Sequence, residues 1–367
     1  MPLYIHERKD WPSFRWDAEA LAPTLAEAYR MLGLLLGKMQ VIGFDLRTEA
    51  NLDTLTVNVL RSSEIEGEIL DPSQVRSSLA RRLGLDKAGA PLVDRHVDGV
   101  VEMHLDATEQ CRAKLDAERL FAWHSALFPS GRSGMLKVLT GQWRNDSTGL
   151  MQVVSGPMGR EKVHFQAPAA DRLKKEMATF LKWVNKKDGP DPMIKAGLAH
   201  LWFVTIHPFE DGNGRIARAI ADLLLARADG SPQRYYSMSA QIRAERGKYY
   251  DLLQRTQQGT MDVTGWLAWF LACLCRALVA SETMLASVLN KHRFWQNHAQ
   301  TLFNSRQLKV LNKLFHNFQG SLTSTKYAKI ARTSQDTASR DIADLIAKKV
   351  LRKGKGGGRN THYVLAS

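Results

Sequence analysis

The chain has 367 residues, 44% hydrophobic and 24% charged, a soluble globular composition with room for two or three domains. Its 51 Lys and Arg against 37 Asp and Glu give a net charge of +14, which suits nucleic acid, an acidic partner or a nucleotide-binding enzyme with a basic surface. No apolar run reaches bilayer-spanning length (266–278 comes nearest), the first eight residues lack a signal core, and Cys111, Cys273 and Cys275 have no metal-ligand spacing, so a cytoplasmic location without a membrane partner is expected.

Residues 11–17 are aromatic and irregular and read as an arm packed on the body. Helices are predicted over 21–43 and 48–68, the second with Leu52, Leu55, Val59 and Leu60 at helical spacing. That second helix ends in Arg61-Ser62-Ser63-Glu64-Ile65-Glu66-Gly67, which on its own is a helix end with a glycine cap. Amphipathic helices follow over 97–114, 118–128 and 171–185, where His104 and His124 read as hydrogen-bonded packing residues. Between them, strand-like 151–155 and 162–166 flank the turn 156–161 and predict a hairpin.

A helix over 193–205 leads into His207-Pro208-Phe209-Glu210-Asp211-Gly212-Asn213-Gly214-Arg215-Ile216-Ala217-Arg218. Beyond it, Ile216, Ala219, Ile220, Leu223 and Leu224 mark a second helix with one buried face. The motif is therefore a loop between two helices, and its glycines feed the N-terminus of the second, where free N–H groups and the helix dipole favour an anion. His207 can take a proton near neutral pH, Asp211 is a hard oxygen ligand suited to Mg²⁺ beside phosphates, and Arg215 and Arg218 share a helix face. No G-x-x-x-x-G-K-[ST] is present, so this is not a P-loop.

Helices over 235–258 and 263–282 complete this part, and Tyr249 and Tyr250 either line a base pocket or pack. A linking helix is predicted over 286–303. Three more, over 307–315, 324–331 and 335–348, precede strands 350–352 and 361–365 around the glycine-rich loop 354–359. From Lys326 to Arg359 there are ten Lys or Arg against three Asp, a footprint for phosphate contact. The order resembles a winged helix-turn-helix, with DNA contact or protein docking as its two uses.

The loop matches in full the Fic motif H-P-F-x-[DE]-G-N-G-R-x-x-R, and the chain resembles that family. The resemblance implies a mainly α protein: an N-terminal helical domain (1–95), a helical Fic core with a hairpin flap (96–285), and the winged-helix region (286–367). It implies transfer of AMP from ATP to a Tyr, Ser or Thr hydroxyl of a target protein or of the chain itself. His207 would be the general base and Asp211 the Mg²⁺ ligand. Gly212, Asn213, Gly214, Arg215 and Arg218 would hold phosphates, with Tyr249 and Tyr250 at the adenine. The hairpin, entered by Gly141-Gln142-Trp143-Arg144, would be the flap that clamps the target, and His164 is not a second base. Ser62-x-x-x-Glu66-Gly67 fits the family's inhibitory pattern [ST]-x-x-x-E-[GN], so Glu66 would pair with Arg218, in a planar bidentate contact, and hold the enzyme off. The opening segment also looks like the N-terminal domain that precedes some bacterial members, and by analogy the chain would form homodimers. Two alternatives stand: a DNA-binding regulator whose core senses nucleotide, and an enzyme that removes AMP using water oriented by Glu66.

Overall fold

The structure, a computed structural model, describes residues 4–85, 92–147, 149–156, 160, 162–315, 318, 320–354 and 361–366. Most of the hairpin turn 156–161 and of the glycine-rich loop 354–359 lies outside the described residues, Arg359 included. The chain is mainly α-helical and divides into two compact units, residues 1–285 and 286–367.

The first unit opens with a 3₁₀ turn at Ile5–Glu7, and the expected arm over 11–17 follows, packing Trp11 edge-on to Trp202. Helix α1 (Ala18–Gln40) is capped by the Asp17 side chain, and α2 (Phe44–Ile65) buries Leu52, Leu55 and Val59. Helix α3 (Pro72–Arg82) was not anticipated from the sequence. Its signal was present: Asp71 caps it and Pro72, with φ already helical, starts it. Helices α4 (Arg95–Glu109) and α5 (Ala117–Leu127) follow. A short hairpin pairs β1 (Arg132–Ser133) with β2 (Leu136–Lys137), and the expected one pairs β3 (Gln152–Ser155) with β4 (Lys162–Gln166), antiparallel. Then come α6 (Ala170–Asn185), α7 (Pro192–Ile206) and α8 (Asn213–Asp229).

Helix α7 is apolar on nearly every side, as a helix must be if it is surrounded. Its Gly197 admits α11 (Thr264–Asn297) so closely that a Cβ there would come 3.0 Å from Leu267 and Phe270. The segment read as one helix over 235–258 is two, α9 (Met238–Ala244) and α10 (Arg246–Gln257), meeting at Glu245, whose carboxylate is held by Arg276 and Trp269. Helices expected over 263–282 and 286–303 are instead the single α11. By length and composition α11 could cross a membrane, which the sequence reading had not allowed, yet Trp266, Leu267, Phe270, Leu271 and Leu274 are buried in the first unit's core.

In the second unit, α12 (Ser305–Phe315), α13 (Ser324–Ala331) and α14 (Gln335–Ala347) precede an antiparallel pair, β5 (Leu351–Lys353) and β6 (Tyr363–Leu365). Val310, Leu311, Tyr327, Ile342, Leu345 and Val350 form its core. Ser334 caps α14, and Arg306 pairs with the buried Asp341 at 2.8 Å.

Candidate active site

The 207–212 loop joins α7 to α8, and its shape is set by buried groups rather than by glycine alone. His207 ends α7 in the left-handed region at φ 52°, which costs a non-glycine residue on the order of 1 kcal/mol. Arg144 holds it there. Its Nε donates to the His207 carbonyl (2.8 Å) and its backbone N–H to the Pro208 carbonyl (2.9 Å). Asp146 and the Pro168 carbonyl take the rest of the guanidinium. Gly212 follows at φ 79°, pressed against Phe128, and caps α8. His124, stacked on Phe209, accepts the Gly141 N–H at Nδ1 and so offers Nε2–H to the Asp211 carbonyl (3.3 Å).

His207 is prepared as a base. Its Nδ1 sits 3.2 Å from the Val204 carbonyl, which can only accept, so Nδ1 carries the proton and Nε2 keeps its lone pair. Burial holds its pKa down, to about 4, so the ring is neutral at pH 7.

Asp211 is partly exposed. One oxygen accepts from Ser133 Oγ (2.5 Å) and the other from the Gly212 N–H (2.6 Å). Asn213 differs from the expectation of a phosphate contact. Its Oδ1 takes the Phe209 N–H (3.0 Å) and its Nδ2 donates to the Phe209 carbonyl (2.8 Å), so the buried side chain is spent bracing the loop. The N–H groups of α8's first turn, which have no intrahelical acceptor, are what remain for an anion.

The segment after α2 reaches this same helix end. Arg218, 2% exposed, donates from Nε to Ser62 Oγ (3.0 Å) and from Nη2 to the Ser62 carbonyl (2.8 Å). Its Nη1 lies 2.8 Å from Glu66 Oε1, poorly angled for a hydrogen bond. The expected bidentate pair is thus a single charge contact, and Ser62 takes the other faces of the guanidinium. Gly67, at φ 86°, turns the chain just after Glu66. The Glu66 carboxylate lies directly over α8: a Cβ on Gly214 would fall 2.1 Å from Oε1. A carboxylate oxygen thus sits beside the first turn of α8, within 2.8 Å of Arg218 Nη1.

The two tyrosines part company. Tyr249 is buried, bonded to His200 at 3.0 Å, and packs rather than lining a base pocket. Tyr250 is half exposed, and its hydroxyl reaches the Ile65 carbonyl (3.2 Å) and Glu66 Oε2 (3.4 Å). A cavity of about 810 Å³ is lined by Glu66, Glu68, His96, Phe128, Asp211 and Arg215 among others, and by neither tyrosine. Sequence reasoning missed Glu68, which binds Arg215 at 2.8 Å, and placed Arg144 only at the entry to the flap, not on the His207 carbonyl. Their partners lie 147 and 63 residues away, so no local pattern announces them.

Burial also lowers His124 to about 4 and His104 and His200 to about 3. The unfolded chain takes up protons on these histidines below ~6.5, while the folded one refuses them until far lower pH. Their contribution is thus complete above that value and lost as pH falls toward 4. His96, raised mainly by its bond to Glu68, acts the other way but is outnumbered. Melting temperature is expected to drop steadily from pH 7 to pH 5; a flat profile would contradict the neutral assignments.

Residues 114–225 match the Fic/DOC family model, and residues 4–85 match a model described as a domain of unknown function, DUF4172. The chain is 36% identical over 124 residues to the protein adenylyltransferase Fic of Nematostella vectensis, covering 32% of this chain and 27% of that one. It is 36% identical over 104 residues to the Aedes aegypti protein of the same name, covering 28% and 19%. The chain thus spans about a quarter or less of these relatives. Among solved structures, a Fic family protein from Desulfovibrio desulfuricans G20 aligns with TM-score 0.53 and 21% identity over 95% of this chain and 96% of that one. A Fic domain containing signaling protein from Bacteroides thetaiotaomicron VPI-5482 aligns with TM-score 0.52 and 19% identity over 72% and 97%. These are likenesses of fold.

Proposed function

We propose that this chain, whose residues 114–225 are a Fic/DOC domain, is a nucleotidyltransferase that moves AMP from ATP onto a protein hydroxyl and is held off by Glu66. The observation that carries the reading is one constellation: a neutral His207 whose Nδ1 is turned to Val204, beside the first turn of α8, where the Glu66 carboxylate packs on Gly214 and meets Arg218. The two relatives named protein adenylyltransferase support the same reaction.

In that reaction the target oxygen attacks the α-phosphorus, the bond from that phosphorus to the α,β-bridging oxygen breaks, and pyrophosphate leaves. His207 Nε2 takes the hydroxyl proton. The α8 amides and Arg218 hold phosphate oxygens in fixed directions, which is most of what phosphoryl-group chemistry needs. Among the described residues no cluster of three or more metal ligands exists. One carboxylate is enough for Mg²⁺, which keeps waters and takes substrate phosphates as its other ligands. Asp211, partly exposed on the cavity wall, is the residue that fits, and the ion would neutralise phosphate charge there. The β3–β4 hairpin leaves Val153, Val154 and Val163 exposed, suited to pairing with an extended target segment. The test is intact mass after incubation with ATP and Mg²⁺, with UTP in parallel. A gain of one AMP supports the reading, and a gain of one phosphoryl group alone overturns it.

A second reading concerns the C-terminal unit, taken as a winged helix that contacts DNA. Exposed Arg340 on α14 and Arg352 and Lys353 on β5 favour it. Binding of duplex fragments should then weaken steeply with salt, because each phosphate contact releases counterions. Replacing these three should flatten that slope; no retardation at low salt would favour protein docking.

A further inference from the structure

We propose that Glu68 is a second carboxylate on the nucleotide's phosphate site, holding Arg215 as Glu66 holds Arg218. The inference rests on the phosphate-site reading above and extends it to the other motif arginine.

Glu66, Gly67 and Glu68 form one turn at the end of α2. The Gly67 N–H bonds back to the Glu64 carbonyl and the Glu68 N–H to the Ser63 carbonyl, both at 3.1 Å. The two carboxylates are therefore fixed to the same helix end and carried by one rigid turn. Each meets a different arginine of α8: Glu66 Oε1 lies 2.8 Å from Arg218 Nη1, and Glu68 Oε2 accepts from Arg215 Nη1 at 2.8 Å.

Arg215 has little else to do in this state. Its side chain is nearly buried, its guanidinium sits over the Phe128 ring, its Nε has no partner, and Asp211 is 3.9 Å from Nη2. It lines the same cavity as Glu66, Glu68 and Asp211. A guanidinium prepared on a ring face with an unsatisfied donor suits an oxyanion better than one surface carboxylate.

Glu68 is steadied from its far side by His96. That ring reaches two acceptors, Glu68 through Nε2 and the Leu127 carbonyl through Nδ1 (3.0 Å), so both nitrogens donate and the imidazole is charged. Glu68 is thus clamped between two cations at the mouth of the cavity. A polyphosphate entering there meets two carboxylates of like charge and finds both Arg215 and Arg218 already paired. Removing Glu66 alone leaves the Arg215 half of the block in place.

The test compares Glu66→Gly with Glu66→Gly/Glu68→Gln, using α-labelled ATP and Mg²⁺ and reading KM and kcat for self-labelling separately. The double variant is expected to have an apparent KM for ATP lower by roughly three- to tenfold, with kcat nearly unchanged, the scale of one partly exposed ion pair. Direct ATP binding to the same pair in a His207→Ala background, and Glu68→Ala as a second replacement, separate the effect from a folding defect. Equal or weaker ATP affinity in the double variant means that Glu68 only orients Arg215 and overturns the proposal, while the phosphate-site reading survives. No gain from Glu66→Gly itself removes that reading and this proposal with it.

Discussion

Glu66→Gly is expected to raise AMP transfer, onto the chain itself and onto any target, by well over tenfold. The carboxylate acts twice. It sits 2.8 Å from Arg218 Nη1 and so withdraws a cation from the outer phosphates, and it lies over Gly214, where the first turn of α8 would receive an oxyanion. On the proposed reading, ATP would then bind only in a displaced pose, with its α-phosphorus out of line with the hydroxyl that His207 would activate. Each ~1.4 kcal/mol is tenfold in rate, and a like charge a few ångströms from a phosphate in a partly desolvated site exceeds that. Arg218 should keep its place in the variant, because Ser62 holds it through Oγ and the carbonyl. For the same reason Arg218→Ala should not mimic the gain, since it removes the phosphate ligand with the block. Unchanged labelling by Glu66→Gly would mean that residues 62–67 are only a capped helix end.

His207→Ala should abolish transfer by ~10²–10⁴-fold, the usual worth of a positioned general base, while leaving ATP binding near the level of its parent. The two effects separate because the ring's one bond, Nδ1 to Val204, goes back to α7, while the loop's shape rests on Arg144, Asn213 and Gly212. The acid limb of the rate should lie well below the ordinary histidine value, since burial draws His207 toward about 4. Labelling at the parent rate would remove His207 from the reaction.

The sequence made the loop legible because its residues are contiguous and each is chemically restricted. Glu66 was legible by its short pattern upstream of that loop. What escaped was set by tertiary contact. Arg144 fixes the His207 carbonyl from a distant segment, Glu68 meets Arg215 only when α2 docks on α8, and Asn213 turns inward to Phe209 rather than out to a ligand. Tyr249 is another case: an aromatic pair on one helix does not say which ring the neighbours will bury, and here α11's Trp266 and Trp269 enclose Tyr249 and leave Tyr250 at the site. Helix α3 was overlooked because its cap and proline were the only strong marks on a polar segment. Continuity of α11 past 285 was hidden because Ser281, Glu282 and Thr283 look like a break, yet nothing there forbids a helix.

The central claim is that Glu66 stands in the phosphate place of an AMP-transferring site. Its most direct test is labelling of the parent chain, Glu66→Gly and Glu66→Gly/His207→Ala, each with ATP carrying label at the α- or at the γ-phosphate. The predicted outcome is α-label on protein, weak in the parent, strong in Glu66→Gly and lost in the double variant, with none from γ. Label from the γ-phosphate alone, or α-label that is equal in all three proteins, would contradict it.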